Sequence, residues 1–337
     1  WPDRDRFVLS AGHGSMLLYA LLYLTGFPGV TIEKIRTFRQ LGSIAAGHPE
    51  YGHAPGIETT TGPLGQGLAN AVGMAIAERL LSARFGEGIC DHRTYALVGD
   101  GCLMEGISQE AVDLAGHLKL RKLVVLFDDN SISIDGHTSL TTSTDQLKRF
   151  EAAGWAASRI DGHDPAQIEK ALSDANASER PSLIACRTVI GYGAPGKQGT
   201  EKVHGSPLGR DEVAAARKYL HWPYPPFEIP EHILFPWREA GRRGLEARAA
   251  WMKRLEGLPE AERRHFEERM RGDISEKVSA RLAALKSKTK TERPKLATRK
   301  ASELALEAIN GATDLTVGGS ADLTHSNLTL TKGMKEV

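Results

Sequence analysis

Two apolar runs, Tyr95-Ala96-Leu97-Val98 and Leu123-Val124-Val125-Leu126-Phe127, each end directly on a short polar turn. The first turn is Gly99-Asp100-Gly101, the second Asp128-Asp129-Asn130-Ser131-Ile132. Helix-like stretches follow both, near 105–118 and 144–153. A further strand near 155–160, a helix at 165–176 and a strand at 182–189 continue the alternation. Strands separated by helical stretches of this length indicate βαβ crossovers and a parallel sheet. The feature therefore fixes an α/β class before any other residue is considered.

Upstream, residues 13–25 read as a helix apolar nearly all round, hence buried, and 32–41 as an amphipathic helix. A Gly/Pro-rich stretch, 42–67, is too irregular for a regular element. A long helix over 68–85 carries Asn70 and Gly73, small enough for close packing against another helix. After Val189 the character changes. Residues 191–200 and Trp222-Pro223-Tyr224-Pro225-Pro226 are loops. Residues 237–286, highly charged with sparse apolar positions, read as surface helices of a connecting segment, and 286–290 as a linker. A helix over 298–310, a strand over 315–317 and a Gly-rich turn at 318–322 then begin a new element, too little to bury a core alone. The expected division is 1–191, 192–293 and 294–337, the last cut inside a second domain.

The 337 residues carry a formal net charge of +1, so there is no electrostatic case for nucleic acid or an anionic membrane. No apolar stretch approaches a membrane span. Cys90, Cys102 and Cys186 are odd in number, widely spaced and without zinc-site spacing, which fits a reducing compartment. No signal peptide is present, and the missing initiator Met reads as a trimmed or incomplete chain.

Ligands of parallel sheets collect beyond the carboxyl ends of the strands. Asp100 and Asn130 converge there if their strands are neighbours, and supply hard oxygens to one small divalent cation. Mg²⁺ takes only one or two protein carboxylates and keeps positions for substrate phosphates. Ile132 can add only its backbone carbonyl. Gly101 and the following N–H groups can face an anion at the helix start. A lone Gly-Asp-Gly is usually a turn; the second run, one strand–helix–strand unit away, favours a metal that holds a phosphorylated cofactor. His13, His48 and His204 sit among glycines and prolines at element ends, where imidazoles can hydrogen-bond ligands and move protons. Glu105 and Glu110 read either as helix N-terminal acids or as carboxylates at a subunit contact. Arg299 and Ser326 could bind a substrate phosphate as a pair.

The same motifs resemble the transketolase family. They are His13 in Ser-x-Gly-His-Gly-Ser, Gly47-His48-Pro49-Glu50, the run from Thr60 to Gly67, Gly99-Asp100-Gly101-Cys102-Leu103-Met104-Glu105-Gly106, the run from Asp128 to Gly136, Lys202-Val203-His204-Gly205, Ala297-Thr298-Arg299-Lys300 and Gly319-Ser320-Ala321-Asp322-Leu323. They occur in family order along the whole chain. The resemblance implies a parallel-sheet α/β domain that binds thiamine diphosphate, with helices on both faces, plus the start of a second α/β domain.

It further implies transfer of a two-carbon ketol unit between sugar phosphates, by carbanion chemistry that the cofactor supplies. Metal ligands would be Asp100, Asn130 and the Ile132 carbonyl, holding Mg²⁺, with Ca²⁺ or Mn²⁺ able to substitute. Cofactor contacts would be His13, Gly62, Pro63, Leu64, Gly101, Asn130, His204 and Asp322. His13, His48 and His204 would be catalytic; His48, His204, Arg299 and Ser326 would bind substrate. A cytoplasmic homodimer with the site between subunits, in pentose phosphate or Calvin-cycle metabolism, is expected. Family segments that carry another histidine and the glutamate of the pyrimidine site lie outside this stretch, so the stretch alone is expected to be inactive. Alternatives are a non-catalytic half that needs a second polypeptide, or a related thiamine enzyme such as dihydroxyacetone synthase; Gly47-His48-Pro49-Glu50 and Asp128-Asp129-Asn130 argue against deoxyxylulose-phosphate synthase. A plain nucleotide-binding protein is disfavoured, because the chain has no P-loop pattern.

Overall fold

The computed structural model describes residues 1–272 and 274–334. Strands β1 (Arg6–Leu9), β2 (Thr94–Gly99), β3 (Leu123–Asp129), β4 (Ala156–Asp161) and β5 (Ser182–Arg187) form one sheet in the order β1-β2-β3-β5-β4. Every pairing is parallel. The helices are α1 (Ser15–Thr25), α2 (Ile32–Arg36), α3 (Gln66–Phe85), α4 (Asp100–Met104), α5 (Gly106–His117), α6 (Gln146–Ala152), α7 (Pro165–Ala177), α8 (Arg210–Tyr219), α9 (Glu231–Glu256), α10 (Glu260–Arg271), α11 (Ser275–Glu292), α12 (Thr298–Asn310) and α13 (Thr324–Asn327).

The period-two alternation of the strands builds two apolar layers. On one face Val8, Ala96, Val98, Val125, Phe127 and Leu183 meet Leu68, Ala71 and Val72 of α3 and Val112 and Ala115 of α5. On the other, Leu9 packs with Leu18, Tyr19 and Leu22 of α1, and Val124 and Ile184 with Ala171 and Ala175 of α7. Each large aliphatic side chain buried this way contributes roughly 1.5–3 kcal/mol. Trp155, wholly buried, stands edge-on to Phe150 at 4.9 Å and donates from Nε1 to the Val112 carbonyl at 2.9 Å.

Several expectations are corrected. The four-residue β1 was not foreseen; it forms because Arg6 N–H bonds the Arg93 carbonyl at 2.8 Å and its residues run in register with β2. Helix α1 buries one stripe only, with Leu17 48% exposed. The helix expected over 32–41 stops at Arg36, where the Thr37 hydroxyl turns to the Lys34 carbonyl and Arg39, at φ 61°, bonds back to Ala45. The helix expected over 105–118 begins earlier, as α4, and breaks at Glu105, which is extended at ψ 141°.

The charged stretch 237–286 is not surface helix throughout. Trp251 and Leu255 of α9 are buried, and the Trp251 indole donates to the Ile89 carbonyl at 2.9 Å. The 286–290 run lies inside α11 rather than in a linker, since Lys and Thr are tolerated on a solvated helix. Residues 315–317 form no strand. Among the described residues no strand lies beside them; the Leu315 N–H donates to Thr313 Oγ1 at 3.2 Å, and the Thr316 hydroxyl donates to Asn310 Oδ1 at 2.8 Å.

Contacts divide the chain into two compact units, one covering Trp1–Leu255, the other the described residues from Glu256 on. The first contains the sheet. In the second, Arg269 is buried and ion-paired to Asp314, and Asn310 bonds Thr331 at 2.8 Å. Among the described residues no helix is long and apolar enough to cross a membrane.

Candidate active site at the carboxyl end of the sheet

β2 and β3 are adjacent, with Gly99 opposite Asp128. Asp100 therefore follows the tip of one strand and Asn130 the tip of its neighbour. Asn130 is held on both sides of its amide: Nδ2 donates to Asp128 Oδ2 at 2.9 Å, and Oδ1 accepts the Ile132 N–H at 2.9 Å. Asp128 is further held by the Thr188 hydroxyl beyond β5, and Asp129 pairs with Arg159 at 3.4 Å. Burial pushes the Asp100 carboxyl up to about 7, and the nearby Asp129 and Asp128 push it the same way. Three carboxylates thus crowd one strand end with a surplus of negative charge. A divalent cation is the species that relieves such crowding.

The histidines gather at the same end. His13 lies in the turn Gly12–Gly14 that follows β1, and His204 closes the turn Glu201–Val203. Their rings stack at 4.9 Å, inclined by 18°. Among the described residues, buried His204 Nδ1 has no hydrogen-bond partner. Desolvation, then the neighbouring His204 and His48, hold His13 below the usual imidazole range, although the residue as a whole is exposed; Asp128 acts in the opposite sense.

The loop with His48 is pinned by α1. Ser15 Oγ donates to the Gly47 carbonyl at 2.9 Å and Tyr19 OH to the Ala46 carbonyl at 3.0 Å. The loop with Gly62, Pro63 and Leu64 is anchored by Thr61, whose hydroxyl donates to the Leu9 carbonyl at 2.8 Å. A Cβ at Gly62 would lie 3.4 Å from His48 Cγ, and one at Gly101 only 2.8 Å from Leu64 Cδ1. Glycine at 101 keeps open the space where the α4 N–H groups begin.

The first unit therefore brings together His13, His48, His204, the 62–64 loop, Gly101 and the acidic strand ends. Their donor set fits a cation and a diphosphate: hard oxygens at Asp100 and Asn130, backbone N–H groups at α4, and an orphaned imidazole nitrogen. Glu105 and Glu110 are exposed. Arg299, Ser326 and Asp322 lie in the second unit, where Arg299 Nη1 meets the Ser326 backbone carbonyl at 3.5 Å and all three residues are exposed. Asp128 and Thr188 hold Asn130 in a chain of hydrogen bonds that the sequence does not reveal. Asp128 stands in the acidic run, but its grip on Asn130 shows only in three dimensions; Thr188 gave no signal.

Residues 1–276 match the family model described as the transketolase, thiamine diphosphate binding domain. A transketolase of Sinorhizobium medicae is 58% identical over 331 residues, which cover 98% of this chain and 47% of that protein. Transketolase from Leishmania mexicana superimposes with a TM-score of 0.89 at 43% identity, covering 98% of this chain and 49% of that one. A transketolase complex with sedoheptulose 7-phosphate from Pichia stipitis gives 0.83 at 37% identity, over 99% and 50%. The chain spans about half the length of the curated relatives it matches.

Proposed function

The chain belongs to the transketolase family through its thiamine diphosphate binding domain, and on that premise we propose that it is the cofactor-holding part of an enzyme of ketol transfer between sugar phosphates. Asp100, Asn130 and the Ile132 carbonyl are the ligands of a divalent cation, Mg²⁺ by the hardness of the set. The α4 N–H groups from Gly101 onward, with His204, receive the diphosphate. When bound, thiamine diphosphate supplies the carbanion chemistry that breaks and forms the carbon–carbon bond.

The chain's own residues bind, orient and move protons around that chemistry. His13, whose pKa is lowered chiefly by desolvation, acts as a hydrogen-bonding imidazole. His48 and His204 bond the hydroxyls of the sugar and relay protons. The 62–64 loop packs over the cofactor. Arg299 and Ser326 serve the sugar phosphate, and Asp322 the cofactor. A homodimer with Glu105 and Glu110 near the subunit contact completes the proposal, together with cytoplasmic pentose phosphate or Calvin-cycle metabolism.

The observation that carries the reading is the parallel pairing of β2 with β3, which sets Asp100 and Asn130 at adjoining strand tips beside two further carboxylates. Calorimetric titration with thiamine diphosphate tests it. Binding is expected with Mg²⁺ and lost in chelator or in Asp100→Ala. Equal binding in chelator would overturn the cation's role.

A further inference from the structure

At the opposite, amino end of β2, three side chains of different chemistry converge. Asp3, Cys90 and His92 each point one ligand atom inward, and these atoms lie within 4.8 Å of one another. Cys90 Sγ is 3.7 Å from His92 Nδ1, and His92 Nδ1 is 3.2 Å from Asp3 Oδ1. Cys90 is 3% exposed and His92 6%.

We infer that Asp3, Cys90 and His92 form a binding site for a zinc-like divalent cation, separate from the carboxyl-end site, which clips the segment before β1 to the entrance of β2. The spacing carries the argument. Tetrahedral zinc, with bonds of about 2.3 Å to sulfur and about 2.0–2.1 Å to nitrogen and oxygen, sets its ligand atoms about 3.6 Å apart for S···N and about 3.3 Å for N···O. The two edges, 3.7 Å for S···N and 3.2 Å for N···O, lie close to that pattern. Both contacts use the same ring nitrogen, so the three groups surround a point rather than forming a Cys–His–Asp relay, which needs both nitrogens of the imidazole.

A thiolate, an imidazole and one carboxylate are a borderline-soft set, suited to zinc and poor for Mg²⁺. Charges balance: Cys90 releases its thiol proton to solvent, Asp3 is ionised, His92 carries its proton on Nε2, and the dication is neutralised. A water fills the fourth position. Asp3 already accepts the Asp91 N–H at 2.6 Å, and Asp5 the Arg93 N–H at 2.8 Å, so the segment before β1 is laid against residues 91–93. β2 separates this cluster from Asp100 by roughly 17 Å, at about 3.3 Å per residue.

The test is a Co²⁺ titration of the full-length protein with its other site saturated by Mg²⁺ and thiamine diphosphate. One equivalent is expected to give a thiolate-to-cobalt charge-transfer band in the near ultraviolet, displaced by Zn²⁺. Cys90→Ser abolishes the band, His92→Gln weakens zinc binding at least tenfold, and Asp100→Ala, titrated without thiamine diphosphate, keeps both the band and the zinc affinity. The last arm separates this inference from the cofactor reading. No band in the wild-type protein, or a band that survives Cys90→Ser, overturns the site and leaves a plain hydrogen-bonded cluster. If Cys90→Ser does not fold, the wild-type spectrum and His92→Gln decide.

Discussion

Gly116 is where two backbones touch, and adding one methyl group there tests the packing of the whole first unit. A Cβ on Gly116 of α5 would lie 1.7 Å from the Ala153 carbonyl oxygen, 2.8 Å from its carbon and 3.2 Å from Trp155 Cδ1. Neither neighbour has a flexible end to swing away. Bringing the methyl to about 3.2 Å from the oxygen moves the helix or the turn by roughly 1.5 Å. That movement breaks the 2.9 Å bond from Trp155 Nε1 to Val112. An unsatisfied buried group costs about 1–3 kcal/mol and overpacking about 1–3, offset by up to ~1 for replacing glycine in a helix. Gly116→Ala should therefore lose about 2–4 kcal/mol, or roughly 5–15 °C in Tm for a unit of this size. Urea unfolding followed by tryptophan fluorescence and far-ultraviolet circular dichroism measures it. Gly88→Ala, with nothing within 4 Å of its Cβ, is the control. A Gly116→Ala protein within about 0.5 kcal/mol of that control would refute the close approach, since even modest overpacking exceeds it.

Two further perturbations address charge. Lys122 pairs at 2.7 Å with Glu78, whose side chain is 4% exposed, so Lys122→Met should cost about 3–5 kcal/mol, and Lys122→Met with Glu78→Gln should cost less than Lys122→Met alone; strict additivity in denaturant unfolding would contradict this. His13 should titrate by NMR below its ordinary value of 6.5 in the cofactor-free protein. A lowered folded-state pKa means the folded form binds fewer protons, so stability from His13 is full above 6.5 and declines as pH falls toward the folded value; a midpoint at or above 6.5 would count against the crowding of His13 by His204 and His48.

The sheet was legible where strands are long, apolar and punctuated. Tyr95-Ala96-Leu97-Val98 and Leu123-Val124-Val125-Leu126-Phe127 announce themselves, and with them the ends that hold Asp100 and Asn130. β1 was not legible, because four residues behind Asp3-Arg4-Asp5 carry too little periodicity; its strand character comes from the neighbour it pairs with. The converse holds for 315–317, whose local sequence suits a strand but which has no strand beside it among the described residues. Glu105 broke an expected helix through its own extended backbone, which composition does not encode. At the site, residue types and their positions at element ends could be read from motifs. The stacking of His13 on His204 and the hold of Thr188 on Asp128 could not, since each joins residues far apart in the chain.

The proposed function rests on the tips of β2 and β3 holding a cation that carries a diphosphate. Crystals grown with Mn²⁺ and thiamine diphosphate test it most directly, through the anomalous signal of the metal. A peak is expected within coordination distance of the Asp100 and Asn130 side-chain oxygens and the Ile132 carbonyl, with the diphosphate on its open side. A peak elsewhere, or Asp100 turned away from a bound cofactor, would contradict it.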